Sequence, residues 1–342
     1  MTKILVVAPS WVGDCVMAQP LYQLLAQRHP KLELDVFAPA WTLPLFQRMP
    51  EVSRAIANPF AHGELRLAER YRLARELRKA RYDQAIVLPN SLKSALIPWL
   101  ASIPLRTGFL GEQRYGLLND WRKLDELALP RMVDRFSVLA QPGRDRRPVV
   151  SPEPRLTVNP ADARAVAAGL GLSLERPVAA LCPGAEYGPA KRWPARHFAA
   201  LAKLLIEDGY AVWVMGSSKE GELGAEIVGL AGPGAENLCG RTSLDQAIDL
   251  LALAHVAVTN DSGLMHVAAA LQRPLVAVYG SSSATFTPPL SKRATIVSLN
   301  VECSPCFKRE CPLGHMKCLN DLMPLSVMGA IKQSLSVRIP LE

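Results

Sequence analysis

Short runs of apolar residues alternate along the chain with longer stretches in which apolar residues recur every three or four positions. The short runs predict buried strands, and the longer stretches predict helices between them, which is typical of a parallel α/β fold. The predicted strands are Ile4–Ala8, Leu34–Ala38, Gln84–Leu88, Val178–Cys182, Ala211–Met215, Val256–Thr259 and Leu275–Tyr279.

A stretch dense in proline and arginine, residues 141–148 and onward to Pro154, separates the first three predicted strands from the last four. Its composition is typical of a linker. We therefore predict two Rossmann-like domains, residues 1–150 and 151–323, that face each other across a cleft. Residues 324–342 follow, and their apolar pattern predicts a C-terminal helix that packs back on the first domain.

Composition agrees with two domains, since 342 residues of which 49% are hydrophobic can bury a large core. No apolar run reaches the roughly 18 residues that span a bilayer, and the first residues predict a strand rather than a signal peptide. We therefore expect a cytoplasmic protein. Its net charge of +8 indicates an anionic partner: a phosphate-bearing small molecule, an acidic lipid surface or nucleic acid.

Part of this charge lies in residues 64–81, which carry seven basic and three acidic residues. The segment predicts an amphipathic helix with a basic outer face, because apolar residues recur at helical spacing: Leu67, Tyr71, Ala74 and Leu77. The outer face is either a solvated surface with glutamate–arginine pairs or a surface attracted to an acidic membrane. We expect no nucleic-acid partner, since no aromatic-rich recognition motif accompanies the charge.

In parallel α/β sheets, ligands bind beyond the carboxyl ends of the strands. The run from Thr259 to His266 lies at such an end and opens an alanine-rich helix. The first turn of that helix offers free N–H groups and a positive dipole end to an anion. Gly263 allows close approach, and Asp261 either caps the helix or holds sugar hydroxyls. An ordinary capped strand-to-helix turn is the alternative interpretation.

Two other loops follow predicted strands. Residues 183–194 present Lys191, which would neutralise the charge that builds up on a departing phosphate. The alternative is that these residues form a solvated surface loop. The loop after the first strand lacks a G-x-G-x-x-G fingerprint, so a dinucleotide cofactor is not expected. It places Gly13 at a tight turn and Asp14 at a helix start, where Asp14 is either an N-cap or a general base on a hydroxyl nucleophile.

Several of these segments resemble the ADP-heptose:lipopolysaccharide heptosyltransferase family. The resemblance rests first on Ser10–Asp14, Lys191–Pro194 and Asn260–His266. Further segments fit the subgroup that adds the second heptose, and these are Leu88–Ala95, Arg106–Phe109, Arg114–Asn119 and Phe286–Leu290. The resemblance covers nearly the whole chain, from about Lys3 to about Leu290.

The resemblance implies an inverting GT-B glycosyltransferase that moves L-glycero-D-manno-heptose from ADP-heptose to heptosyl-Kdo2-lipid A of the lipopolysaccharide inner core. Such an enzyme would lie peripherally on the anionic cytoplasmic face of a Gram-negative inner membrane. The alternatives are a member of the family with another acceptor and a GT-B-fold sugar-nucleotide epimerase. No catalytic cofactor is expected, because the sequence has no Asp-x-Asp pair to hold a divalent ion on the diphosphate.

The resemblance also implies roles for individual residues. Asp14 would deprotonate the acceptor hydroxyl, Lys191 would steady the donor diphosphate or sugar, and Asp261 would bind heptose hydroxyls. The other residues implied in donor binding are Ser10, Gly13, Glu186, Ser217, Ser218, Thr242, Ser262, Gly263 and His266. The acceptor's carboxylates and phosphates would contact Lys93, Arg106 and Arg114, with a plain surface charge as the alternative for each.

Four cysteines near the end of the chain have the spacing C-x2-C-x4-C-x6-C, and they are Cys303, Cys306, Cys311 and Cys318. Thiols crowded in a reducing compartment indicate a structural zinc site, since four soft ligands in a short loop can close a tetrahedron. Free thiols, or disulfides formed only on oxidation, are the alternatives. Such a site would order the loop before the last helix and take no part in catalysis.

Overall fold

A computed structural model describes residues 1–61, 63–143 and 149–336 of the protein. The chain divides into two compact units, Met1–Pro154 and Arg155–Glu342. The boundary thus follows Pro154 rather than residue 150, at the end of the predicted linker. Residues 144–148 of that linker lie outside the described residues.

The first unit is built on a six-stranded parallel sheet with the strand order β3-β2-β1-β4-β5-β6. Its strands are β1 (Thr2–Val7), β2 (Leu32–Pro39), β3 (Arg54–Asn58), β4 (Gln84–Val87), β5 (Leu105–Phe109) and β6 (Asp120–Arg122). Its helices are α1 (Val12–Met17), α2 (Gln19–Arg28), α3 (Leu43–Gln47), α4 (Leu67–Arg78), α5 (Leu92–Leu100) and α6 (Met132–Ser137).

The second unit repeats this topology, with the strand order β12-β11-β10-β7-β8-β9. Its strands are β7 (Val178–Cys182), β8 (Ala211–Val214), β9 (Ala235–Asn237), β10 (Val256–Asn260), β11 (Leu275–Val278) and β12 (Ala294–Val297). Its helices are α7 (Pro160–Gly169), α8 (Ala195–Glu207), α9 (Gly221–Ala231), α10 (Leu244–Leu253), α11 (Gly263–Ala270), α12 (Lys317–Asn320) and α13 (Pro324–Ser336). In both units the order is that of the Rossmann fold.

All seven predicted strands are present, with ends within two residues of the prediction. Five strands were not predicted, and they are β3, β5, β6, β9 and β12. Four of these five lie at sheet edges, and they are short and partly exposed. A continuous apolar run is expected only where both faces and both neighbours of a strand are buried, as they are for β7 and β10.

The C-terminal helix α13 belongs to the second unit. Its apolar residues Val327, Met328 and Ile331 are buried in the core that also holds strands β10 and β11 and helix α8. The expectation that this segment packs back on the first domain stays a prediction. An apolar stripe in sequence predicts that a helix is covered, but it does not specify which surface covers it.

Helix α4 confirms the predicted amphipathic helix, but two of the four residues predicted on its buried face are exposed. Ala74 and Leu77 are buried, whereas Leu67 and Tyr71 are 55% and 52% exposed. Arg70 takes the inner position instead, because its guanidinium donates hydrogen bonds to the carbonyl oxygens of nearby residues and lies 4.1 Å from the centre of a phenylalanine ring. Within the described ranges, no helix is both long and apolar enough to cross a bilayer.

Candidate active site

The site in the second unit forms where the loops after β7 and β10 meet, and Asn260 joins them. Its side chain accepts a hydrogen bond from the backbone N–H of Trp193 (3.1 Å) and donates one to the carbonyl oxygen of Pro183 (2.7 Å). Asn260 is fully buried at the end of β10. One amide therefore holds both ends of the loop that carries Lys191 beside the start of α11.

Lys191 and Asp261 form an ion pair at this junction. The Lys191 ammonium lies 2.6 Å from a carboxylate oxygen of Asp261, and the side chains are 17% and 5% exposed. Thr287 donates a hydrogen bond of 3.4 Å to the other oxygen, and the ammonium lies 5.0 Å from the centre of the Tyr187 ring. A cation held in place with little solvent around it is suited to stabilising charge on a phosphate.

Helix α11 begins at Gly263, directly beside this pair. Ser262 is its extended N-cap residue, and no side chain among the described residues caps the helix there, so its first N–H groups stay available to an anion. The expectation that Asp261 caps the helix is therefore wrong. His266, only 4% exposed, lies one turn into the helix. Burial lowers the pKa of His266 to about 4; Asp261 raises it and Lys191 lowers it further.

We expect acidification to destabilise the protein through His266. The folded pKa is about 4, whereas the ordinary value is 6.5, so the unfolded state binds more protons between these values. The stabilisation is fully present above about pH 6.5 and is lost toward pH 4, by roughly 3 kcal/mol in all. Urea unfolding at pH 7 and at pH 4.5 should show a smaller loss of stability for His266→Gln than for the wild type. Equal losses would contradict this.

The predicted donor-binding residues Ser217, Ser218 and Thr242 lie in loops that adjoin each other. The Gly240 N–H donates a 3.0 Å hydrogen bond to the Gly216 carbonyl, and a Cβ on Gly240 would lie 2.9 Å from Cα of Ser218. The loop with Ser217 and Ser218 therefore packs against the turn that leads to the half-buried Thr242. Glu186, in the loop that carries Lys191, pairs with Lys219.

Glu220 is a carboxylate in this region that sequence reasoning missed. It is 6% exposed and accepts hydrogen bonds from the Ser217 backbone N–H (2.7 Å) and hydroxyl (2.5 Å). A Cβ on Gly184 would lie 2.9 Å from its carboxyl carbon, so Glu220 lies between two of the predicted donor loops. The signal was present in the sequence as the capping-box spacing Ser217-x-x-Glu220.

The loop that carries Lys191 rests on a later segment of the chain. Tyr187 donates a 2.7 Å hydrogen bond to the Phe307 carbonyl, and the Ala190 N–H donates one of 3.0 Å to the Arg309 carbonyl. Gly188 lies against Arg309 so closely that a Cβ would be 2.5 Å from that carbonyl oxygen. Residues 307–309 therefore act as a backing for the Lys191 loop.

Gly188→Ala should displace the Lys191 loop, because the obstructing atoms belong to backbone and cannot turn aside. We expect a loss of about 1–3 kcal/mol in the free energy of unfolding and weaker binding of ADP. Gly229→Ala is the control, since Gly229 is exposed in the last turn of α9 with nothing within 4 Å of an added Cβ. The control should gain up to about 1 kcal/mol. Chemical denaturation and ADP titration measure both effects, and an unchanged Gly188→Ala protein would contradict the close contact.

In the first unit, Asp14 lies in the first turn of α1, whose N-cap residue is Trp11. Asp14 is therefore not an N-cap, and Gly13 lies inside the helix rather than at a tight turn. Asp14 is half-buried and Ser10 is exposed. Burial raises the pKa of the neighbouring Cys15 thiol, and the charge of Asp14 raises it further.

The three predicted acceptor contacts differ in exposure. Arg114 has no exposed surface, and its guanidinium donates hydrogen bonds to the carbonyls of Pro89 (2.6 Å) and Phe109. Burial lowers its pKa to about 10. Arg114 therefore holds loops together rather than contacting an acceptor. Arg106 is also engaged, through 2.6 Å hydrogen bonds to the carbonyls of residues 117 and 103, whereas Lys93 is half-buried and its predicted role stands as a prediction.

Two Rossmann-like units are the architecture of the GT-B fold class, and the second carries the Lys191–Asp261 pair at a helix N-terminus. Residues 70–317 match the family "Glycosyltransferase family 9 (heptosyltransferase)". The chain belongs to this family and is a glycosyltransferase.

Relatives across the full length agree. The chain is 50% identical to lipopolysaccharide heptosyltransferase 2 of Salmonella typhimurium, over 98% of this chain and 99% of the relative. It is 46% identical to lipooligosaccharide heptosyltransferase 2 of Haemophilus influenzae, with the same coverage. The solved structure of E. coli ADP-heptose lps heptosyltransferase II superposes with a TM-score of 0.87 at 46% identity, over 98% of both chains. The predicted family and fold class are thus confirmed.

Proposed function

We propose that this protein is a heptosyltransferase II, which transfers L-glycero-D-manno-heptose from ADP-heptose to heptosyl-Kdo2-lipid A with inversion. The observation that carries the donor side is the Lys191–Asp261 pair at the start of α11. Full-length identity to relatives named heptosyltransferase 2 supports the choice of acceptor.

The second unit supplies the donor chemistry in this proposal. The diphosphate of ADP-heptose binds at the N–H groups of α11, where the helix dipole and Lys191 both oppose its negative charge. As the glycosidic bond breaks, charge grows on the leaving diphosphate, and Lys191 stabilises it most at that stage. Asp261 orients the Lys191 ammonium and accepts hydrogen bonds from the heptose hydroxyls. His266 is neutral near pH 7, so the positive charge at this site comes from Lys191 and the helix dipole.

The first unit supplies the base. Inversion in a single displacement needs one carboxylate that takes the proton of the acceptor hydroxyl as it attacks the anomeric carbon. Asp14 is the residue that fits this role, since it is a half-buried carboxylate in the loop-to-helix turn after the first strand. The proton moves to Asp14 and the bonding electrons of the donor leave with ADP.

The acceptor is tested with two substrates. Purified protein is incubated with ADP-heptose and either Kdo2-lipid A or its mono-heptosylated form, and ADP release is measured. Release only with the mono-heptosylated acceptor is expected. ADP release only with Kdo2-lipid A would show that Kdo2-lipid A is the acceptor. A change in the sugar nucleotide without any acceptor would indicate an epimerase instead.

We further propose that α4 attaches the protein to the anionic cytoplasmic surface of the inner membrane, where the acceptor lies. Exposed Leu67 and Tyr71 are on the same side of this helix as Arg75, and Arg72 adjoins them. Within the described residues, neither of these two arginines has an ion-pair or hydrogen-bond partner. Exposed apolar side chains flanked by free arginines suit an interface with acidic lipids.

Vesicle flotation tests this attachment. The wild type should bind vesicles that contain phosphatidylglycerol and not purely phosphatidylcholine vesicles, and Arg72→Glu/Arg75→Glu should reduce binding at least tenfold, since each basic residue contributes about 1 kcal/mol and reversal doubles the change. Arg164→Glu/Lys203→Glu, which changes the same charge on exposed positions of α7 and α8, is the control. Equal loss in both variants would show a net-charge effect and refute a site on α4.

A further inference from the structure

The cysteine-rich segment after β12 surrounds one cavity. Its four cysteines line this cavity together with His315 and Met316, and Ala190 of the Lys191 loop also lines it. Cys303 is exposed, and Cys306, Cys311 and Cys318 are half-buried, all as free thiols. Folding has therefore brought four thiols from sixteen residues of sequence to a single space, next to the loop that carries Lys191.

Hydrogen bonds within its own backbone hold the turn between Cys311 and Cys318. The Gly314 N–H donates to the Cys311 carbonyl (3.1 Å), and the Leu319 N–H donates to the Met316 carbonyl (3.0 Å). His315 accepts a 3.0 Å hydrogen bond at Nδ1 from the Lys317 N–H, which fixes its ring.

The same segment carries the backing of the Lys191 loop. Phe307, between Cys306 and Cys311 in sequence, donates its N–H to the Ser281 carbonyl (2.8 Å) and accepts the Tyr187 hydroxyl. Ser304, between Cys303 and Cys306, donates a hydrogen bond to the Gly280 carbonyl. The residues that contact the Lys191 loop therefore lie between Cys306 and Cys311, so anything that fixes these two cysteines also fixes the backing.

We propose that Cys303, Cys306, Cys311 and Cys318 bind one Zn²⁺ ion, and that this ion holds residues 307–309 against the Lys191 loop. Four thiolates in a short loop suit a soft tetrahedral ion. Binding releases the four thiol protons, and basic residues in the segment, Lys308, Arg309 and Lys317, offset the resulting negative charge.

To bind one ion, the four thiols must turn toward the centre of the cavity. As they are placed, no three histidine, cysteine or acidic side chains in the described ranges are gathered closely enough to hold an ion. A closed site needs each sulfur about 2.3 Å from zinc. All four already line the same cavity, so closure requires rotation of each thiol about its Cα–Cβ bond toward the centre.

Metal content tests the site directly, without reference to the proposed reaction. Protein purified without added metal or chelator should contain about one zinc per chain, and Cys306→Ser/Cys311→Ser should contain almost none. His315→Ala is the control from the same cavity and should keep its zinc; loss of zinc in this variant would overturn the four-cysteine ligand set.

A second measurement on the wild type guards against misfolding of the cysteine variant. Chelation should expose these four thiols to alkylation, as located by peptide mapping, and added zinc should protect them again. The absence of zinc in the purified protein together with no protection by added zinc would overturn the site.

The role of residues 307–309 as a backing is tested by the ADP affinity with and without zinc, and this part rests on the proposed donor site. Zinc removal should weaken ADP binding several-fold, because the Lys191 loop loses its fixed support. Zinc binding with unchanged ADP affinity would refute the backing role. ADP that fails to bind even the zinc-loaded protein would instead contradict the proposed donor site.

Discussion

Replacement of Asp14 by asparagine should abolish turnover while donor binding persists. The substitution keeps the shape of the side chain but removes the group that accepts the hydroxyl proton. Loss of a positioned general base lowers kcat by about 10²–10⁴-fold. ADP affinity should change by less than a factor of about two, since the proposed donor contacts lie mainly in the second unit. Steady-state kinetics and ADP titration measure these two quantities.

Asp162→Asn is a matched control, because Asp162 also lies in the first turn of a helix, α7. Loss of a carboxylate from a helix start costs about 0.3–1 kcal/mol of stability, and both variants share this effect. Only Asp14→Asn should lose turnover. A folded Asp14→Asn protein that no longer binds ADP would show that Asp14 serves the donor instead.

Lys191→Met should reduce both catalysis and stability. The variant removes the cation that opposes charge on the leaving diphosphate, and loss of one such group lowers kcat by about 10²–10³-fold. It also leaves Asp261, 5% exposed, without its ion-pair partner. The free energy of unfolding should fall by about 2 kcal/mol, below the range for fully buried pairs because Lys191 keeps some contact with solvent.

A double-mutant cycle separates these two effects. Lys191→Met/Asp261→Asn removes the unpaired charge, so it should recover much of the lost stability but none of the lost kcat. Lys332→Met is the control, since its ion pair with Asp208 is exposed on both sides and its removal should change stability by less than about 1 kcal/mol. Recovery of kcat in the double variant would mean that Lys191 acts only by holding Asp261.

Seven of the eight inner strands and the strand-end loops were predictable from sequence, because burial on both faces demands continuous apolar runs. The edge strands were not, since a strand such as β3 has a partner on one side only and tolerates polar residues. Helix α4 shows the same limit in another form. Its spacing predicts a buried Tyr71, yet Arg70 occupies the inner face, because backbone carbonyls nearby satisfy a guanidinium that sequence reasoning places in water.

The acceptor arginines show where residue type misleads. A charge at position 114 suggests a ligand contact, but hydrogen bonds to the carbonyls of Pro89 and Phe109 make Arg114 a structural residue with no exposed surface. Those carbonyls are up to 25 residues away in sequence. The sequence pattern around Arg114 does not indicate these contacts.

The sequence by itself determined two Rossmann-like units, the family, and the loops in which the site lies, because these depend on periodicity and on motifs that are contiguous in the chain. Only the tertiary structure decided which residues meet. Lys191 and Asp261 are 70 positions apart, and Gly188 contacts Arg309. Such contacts follow from the order of strands in the sheet and from packing at its carboxyl edge, where residues distant in sequence share one low-dielectric space.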